Sequence, residues 1–156
     1  MKTENIPYQL SQTVNEHHNR IALSFLRDGT VETEITFRQL QDDIIKLTSE
    51  FKELGVNQGD RVVIFIPKSI FAIIAHFAIQ TIGAISVPLN PGFTKHEMSY
   101  LLDDSGPQLI IIEPENKSFI EDICPDVTLY QISTSSKYKG LNRTTSAPAE
   151  LPLRSR

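Results

Sequence analysis

Tryptophan is absent from this 156-residue chain and cysteine occurs once, at Cys124. A single cysteine excludes an internal disulfide framework and any multi-cysteine zinc site, and it suits a reducing compartment. Cys124 precedes Pro125 and has no cationic neighbour in sequence to lower its thiol pKa, so it reads as unreactive. The glycine patterns that cradle phosphates are missing too: neither GxxxxGK followed by Ser or Thr nor GxGxxG occurs. Gly55 and Gly59, on either side of Asn57-Gln58, read instead as a helix stop and a turn.

No uninterrupted apolar run is long enough for a membrane span, which needs about 20 mainly apolar residues. The stretch from Ile70 to Leu89 comes nearest. His76, Gln80, Thr81 and Gly83 interrupt it, and Pro67 and Pro88 bound it, so it reads as a buried helix followed by a strand. The first ten residues lack the apolar centre of a secretory signal, so a cytoplasmic protein is expected. Positive charge is scarce over most of the chain. Up to residue 132 there are 10 Lys and Arg against 18 Asp and Glu, net −8; from Ser133 to Arg156 there are 5 against 1, net +4. An acidic body argues against general nucleic-acid binding.

What is present suits one globular core. Hydrophobic residues make up 40% and charged residues 22%, and a domain of this length hides roughly 70% of its unfolded surface without staples. Ile21 to Leu26 and Val31 to Thr36 are β-rich runs joined by Asp28-Gly29, a hairpin signature. Phe37, Leu40, Ile44, Leu47, Phe51 and Leu54 fall on one helical stripe. Thr36 and Gln39 can form its capping box, Ile35 and Leu40 a hydrophobic staple, and Gly55 its stop. Val62 to Ile66 is apolar without alternation, as in a strand covered on both faces. Ser69 then caps a helix from Ile70 to Ile82, and Ala84 to Val87 returns as a parallel strand. A second capping box, Thr94 with Glu97, opens a helix to about Asp104. Gln108 to Ile112 is the next strand, Ser118 to Ile123 a short helix and Val127 to Ile132 the last strand. The fold class is therefore α/β, a mostly parallel sheet with flanking helices plus an N-terminal hairpin.

Residues 1–132 are expected to form that unit. Of the 24 residues from Ser133 to Arg156, 8 are Ser or Thr, and Leu141, Leu151 and Leu153 show no period, so a basic, disordered tail is expected there. Ligands of open parallel sheets bind beyond the carboxyl ends of the strands. Those ends are Pro67-Lys68-Ser69, Pro88 to Phe93 and Glu113 to Lys117, and none carries a nucleophile beside a base. His17 and His18 read as a solvated face, His96 as surface, and His76 as a hydrogen-bonded core histidine. Asp103-Asp104 read as turn formers before a Ser-Gly-Pro break.

Four strings in order carry a resemblance: Glu34 to Phe37, Leu54 to Val62, Gly83 to Pro91 and Glu97 to Ser105. Together they resemble the N-terminal region of the AMP-forming acyl-CoA synthetases, a superfamily that includes luciferases and peptide-synthetase adenylation domains. The resemblance covers roughly residues 9 to 132. It implies the N-terminal subdomain of a ligase that adenylates a carboxylate with Mg-ATP and passes the acyl group to CoA. Nothing here resembles the family's Ser/Thr/Gly-rich phosphate loop with its Lys, its Tyr-Gly-x-Thr-Glu segment, its ribose-binding and hinge Asp and Arg, or its C-terminal lysine. The reading is thus an N-terminal portion cut short by truncation, frameshift or a split gene, inactive alone. No catalytic residue and no metal ligand is assigned, and no cofactor is expected for the isolated chain; ATP, Mg and CoA belong to the complete family enzyme. The resemblance further implies that Leu89, Asn90 and Pro91 line the pantetheine channel and that Lys117 contacts the CoA nucleotide phosphate, against a structural loop and a solvated lysine. The expected partner is the missing C-terminal portion, or a second copy through the surface it leaves exposed. A stand-alone, non-catalytic binding or interaction module is the alternative.

Overall fold

The computed structural model describes residues 5–141. Helix α1 (Ile6–His17) leads into an antiparallel hairpin, β1 (Ile21–Arg27) and β2 (Thr30–Thr36), then α2 (Phe37–Glu53). There follow β3 (Arg61–Phe65), α3 (Ile70–Ile82), β4 (Ile85–Pro88), α4 (Lys95–Ser105), β5 (Leu109–Ile112), a 3₁₀ turn (Pro114–Asn116), α5 (Lys117–Glu121) and β6 (Thr128–Gln131). The last four strands form one parallel sheet in the order β4-β3-β5-β6. The α/β class, the parallel sheet and the separate hairpin are all as the sequence implied.

Local chemistry fixes the element ends. Asp28 (φ 50°) and Gly29 (φ 77°) both take positive φ, which matches the twist of a two-residue hairpin turn. Thr36 caps α2 while Gln39 Oε1 accepts from Thr36 N at 2.9 Å, and Thr94 with Glu97 repeats the device on α4. Such caps are each worth about 1 kcal/mol. Gly83, at φ 81°, ends α3 in the left-handed conformation.

The sheet lies between two helical layers. Val62, Ile64, Ile66, Leu109, Ile111, Tyr130 and Ile132 face α2, α3 and the hairpin. Val63, Phe65, Ile110, Ile112 and Leu129 face α4 and α5. Every residue of β5 is fully buried, and each such side chain contributes about 1.5–3 kcal/mol on leaving water. α1 lies against α2 and α3.

Several boundaries differ from the sequence reading, most by a single residue. Ala84 lies outside β4, in the turn that closes α3, because its N–H bonds Ile79 O at 3.1 Å. Pro88 extends β4 instead; this is an outer strand, where the missing N–H costs no ladder bond. The short helix starts earlier because Pro114 presets a helical φ. It is spent by residue 121, where Ile123 and Cys124 both donate to Ile120 O ahead of Pro125.

The larger correction concerns the tail. Residues 133–141 do not behave as an unordered extension: they return across α2 as a strap. Tyr138 Oη donates to Asp43 Oδ2 at 2.5 Å, Lys46 Nζ donates to Leu141 O at 2.9 Å, and Leu141 is buried in the α2/α3 core. An irregular strap held by a few anchors has no apolar period to detect. The rest of the expected tail, 142–156, lies outside the described residues.

Candidate functional site

The carboxyl edge of the sheet is set by a change of direction between two neighbouring strands. After β3 the chain passes through Pro67 and Lys68 to Ser69, the N-cap of α3, on one face. After β5 it passes through Glu113 and Pro114 to α5 on the other face. Adjacent strands that diverge to opposite faces leave a crevice at their carboxyl ends, the general ligand position of such sheets.

Glu113 stands at this point and is 9% exposed. Its Oε1 accepts from Thr134 N at 2.8 Å and from the Thr134 hydroxyl, tying the end of β5 to the segment after β6. Burial alone raises its carboxyl pKa, but the Thr134 bonds outweigh that and hold it below the usual carboxylate range. This buried carboxylate escaped the sequence reading. Its position directly after an unbroken buried strand and before Pro114 was the available signal.

The residues singled out for a thiol channel gather on the α4/α5 side. Leu89 is half-buried, and with Val87 and Phe93 it packs against the same core as Phe119 of α5. Asn90 is exposed and its Oδ1 accepts from Gly92 N at 2.9 Å, while Phe93 N bonds Asn90 O at 3.1 Å. The side chain therefore shapes the turn that follows Pro88, and Pro91 is exposed at its tip. Lys117 opens α5, half-buried, with Nζ 3.8 Å from Glu121 Oε1. Nearby, Lys95 Nζ donates to Asp122 at 3.2 Å and links α4 to the end of α5. The structure thus brings the Leu89 to Phe93 loop and Lys117 to one face and one edge of the sheet, where Asn90 forms a turn and Lys117 pairs with Glu121.

The remaining residues take the structural roles read for them. His76 Nδ1 lies 2.8 Å from Ser86 Oγ and its Nε2 lies 2.9 Å from Gln80 Nε2, pinning α3 to β4. His96, Asp103 and Asp104 are exposed. Burial, then Asp126, pushes the Cys124 thiol up, away from nucleophilic character. Asp60 Oδ2 accepts from Asn57 N at 2.7 Å and closes the turn into β3.

A family model described as AMP-binding enzyme matches residues 10–152. The chain belongs to the AMP-binding enzyme family. Its match to this family runs through the whole strap and past the end of the described residues, beyond residue 132 where the sequence resemblance was expected to stop. The chain is 28% identical to indigoidine synthase of Streptomyces lavendulae over 137 residues, which is 87% of this chain and 10% of that protein. It is 34% identical to an acetyl-coenzyme A synthetase of Methylobacillus flagellatus over 102 residues, 65% of this chain and 16% of that one. Among solved structures, the anthranilate CoA ligase AuaEII in complex with anthranoyl-AMP superposes with TM-score 0.72 at 26% identity, covering 82% of this chain and 25% of that one. The chain corresponds to the N-terminal region of the ligases and adenylation domains it matches, and it spans a small part of their length.

Among the described residues no helix is long and apolar enough to cross a membrane. No three of their His, Cys, Asp or Glu side chains converge where they could hold one metal ion.

Proposed function

We propose that this chain is the N-terminal scaffold portion of an AMP-forming acyl-CoA synthetase. The reaction joins a carboxylic acid, ATP and CoA into acyl-CoA, AMP and pyrophosphate. The observation that carries the reading is the family match over residues 10–152, set beside relatives of which this chain spans only 10% and 16%. Adenylation needs cationic, metal-assisted stabilisation of the charge that develops at the α-phosphate. The described residues offer no donor set for a magnesium ion, so no step through the metal is assigned to them. Their contribution is positional. The parallel strands hold the edge loops, and the Leu89 to Phe93 turn and Lys117 border the path of the CoA thiol and nucleotide. The partner is the C-terminal portion of the ligase, in the cytoplasm.

Pyrophosphate release from ATP over a panel of carboxylic acids tests this. The chain alone should give none, and adding the complementary portion of a relative's ligase should restore acid-dependent release. Turnover by the chain alone would overturn the scaffold reading and leave a self-sufficient enzyme. Calorimetry with CoA tests the channel: weak binding that Lys117→Ala abolishes supports it, whereas binding unchanged by that substitution removes Lys117 from it.

A further inference from the structure

A cavity of about 200 Å³ lies on the α3 side of the sheet's carboxyl edge, between the hairpin, the start of α3 and the strap. It is on the opposite face from the Leu89 loop and Lys117, and nothing in the ligase reading uses it. Its floor is apolar: Ile70 and Phe71 are 2% exposed and Ile132 5%, with Phe25 of β1 beside them. Its rim is polar and comes from the strap, with the hydroxyls of Ser133 and Ser136 and the ammonium groups of Lys137 and Lys139; the Thr134 hydroxyl also lines it but donates to Glu113.

The charge balance of the rim decides what it attracts. Arg27 also borders the cavity, but Glu32 offsets it, with Arg27 Nε donating to Glu32 Oε1 at 2.6 Å. Lys137 and Lys139 have no ion pair among the described residues. Both also border the neighbouring acidic cleft of Glu32, Glu34, Asp42 and Asp43, where Glu32 is paired with Arg27 and Asp43 is engaged by Tyr138. On a body whose first 132 residues carry net −8, two neighbouring lysines beside the Ser133 and Ser136 hydroxyls form a local positive spot. The volume lies below the roughly 300–1,000 Å³ of drug-sized pockets. Only a compact molecule fits.

We propose that this cavity binds a small organic anion. Its oxyanion group, carboxylate or phosphate, sits against Lys137, Lys139 and the Ser133 and Ser136 hydroxyls, and a short apolar body covers Phe25, Phe71 and Ile132. The strap residues serve as both wall and recognition element, which gives the order of 133–141 a purpose beyond covering α2.

The test is an amide-resolved NMR titration of the full chain with butyrate, butyl phosphate, inorganic phosphate and neutral butyramide. At least one organic anion should shift the amides of Ser133 to Lys139 saturably, and inorganic phosphate and butyramide should bind more weakly. Which of the two organic anions binds more tightly names the oxyanion. The Lys137→Ala/Lys139→Ala double variant should keep its circular dichroism spectrum and bind about tenfold more weakly, as expected for two exposed charge contacts; Lys137→Gln/Lys139→Gln serves if the alanine variant loses structure. Absence of saturable shifts with both organic anions overturns the proposal. So does equal binding of butyramide, equal binding of inorganic phosphate, or unchanged affinity in the folded double variant. None of these outcomes bears on the ligase reading, which is judged by pyrophosphate release.

Discussion

Replacing Tyr138 by Phe removes one hydroxyl and leaves the rest of the strap intact. In the wild-type chain that hydroxyl donates to the Asp43 carboxylate at 2.5 Å, and Asp43 is only 8% exposed. Leu141 N also approaches Asp43 Oδ1, at 3.4 Å, too long to replace it. A hydrogen bond to a charged group contributes about 1.5–3 kcal/mol, and a buried carboxylate deprived of its donor loses most of that. Burial and the neighbouring Asp43 push the Tyr138 phenol well above its ordinary pKa of 10.0, so it remains a donor at every pH where the chain is folded. Tyr138→Phe should therefore lower the melting temperature by about 3–12 °C, taking about 2–4 °C per kcal/mol for a chain of this size. Far-UV circular dichroism read against temperature and urea gives the shift. Asp43→Asn is the control: its amide oxygen still accepts from the phenol, so the loss should be about half as large. A Tyr138→Phe midpoint equal to wild type would refute the reasoning and return 133–141 to an unanchored tail.

Other substitutions probe the scaffold independently. Gly83→Ala places a methyl group at φ 81°, 3.1 Å from Gln58 Cγ, and should cost about 1–2 kcal/mol in urea unfolding; an unchanged midpoint would mean α3 does not end in this conformation. Phe51, fully buried and edge-on to Tyr130 at 5.4 Å, should cost about 3–5 kcal/mol on truncation to Ala, read by the same method. Glu113→Gln tests the tie between β5 and the strap through pH. A carboxyl held below its ordinary 4.5 stabilises the fold fully above that value, and the contribution is lost as pH falls through the lower folded pKa, with Glu115 as the neighbouring titrating group. The gap in unfolding free energy between wild type and Glu113→Gln should be widest at neutral pH and close on acidification below 4.5; a gap independent of pH contradicts the assignment.

Much of the architecture was legible because it is encoded locally. The stripe from Phe37 to Leu54, the boxes at Thr36 and Thr94, the Asp28-Gly29 turn and the unbroken runs Val62 to Ile66 and Leu109 to Ile112 each carry their own signal within a few residues. What was missed depends on contacts between distant segments. Asp43 and Tyr138 are 95 positions apart, and Glu113 and Thr134 are 21 apart. No periodicity reports such pairs, and a Ser- and Thr-rich composition suggests disorder even where single aromatic and leucine anchors hold the backbone. The same limit applies to the site. The loop after β4 was recognisable by its prolines, but that Asn90 spends its Oδ1 on the turn, or that the strap walls a cavity with Phe25, follows only from the fold.

An N-terminal scaffold of an AMP-forming ligase should still serve when grafted into a relative. The segment of the Methylobacillus flagellatus acetyl-coenzyme A synthetase that aligns with this chain at 34% identity is replaced by the chain itself, and acetate-dependent ATP–pyrophosphate exchange is measured on the folded graft and on the chain alone. The graft should give measurable exchange and the chain none. A folded graft without exchange, or exchange by the isolated chain, would contradict the scaffold reading.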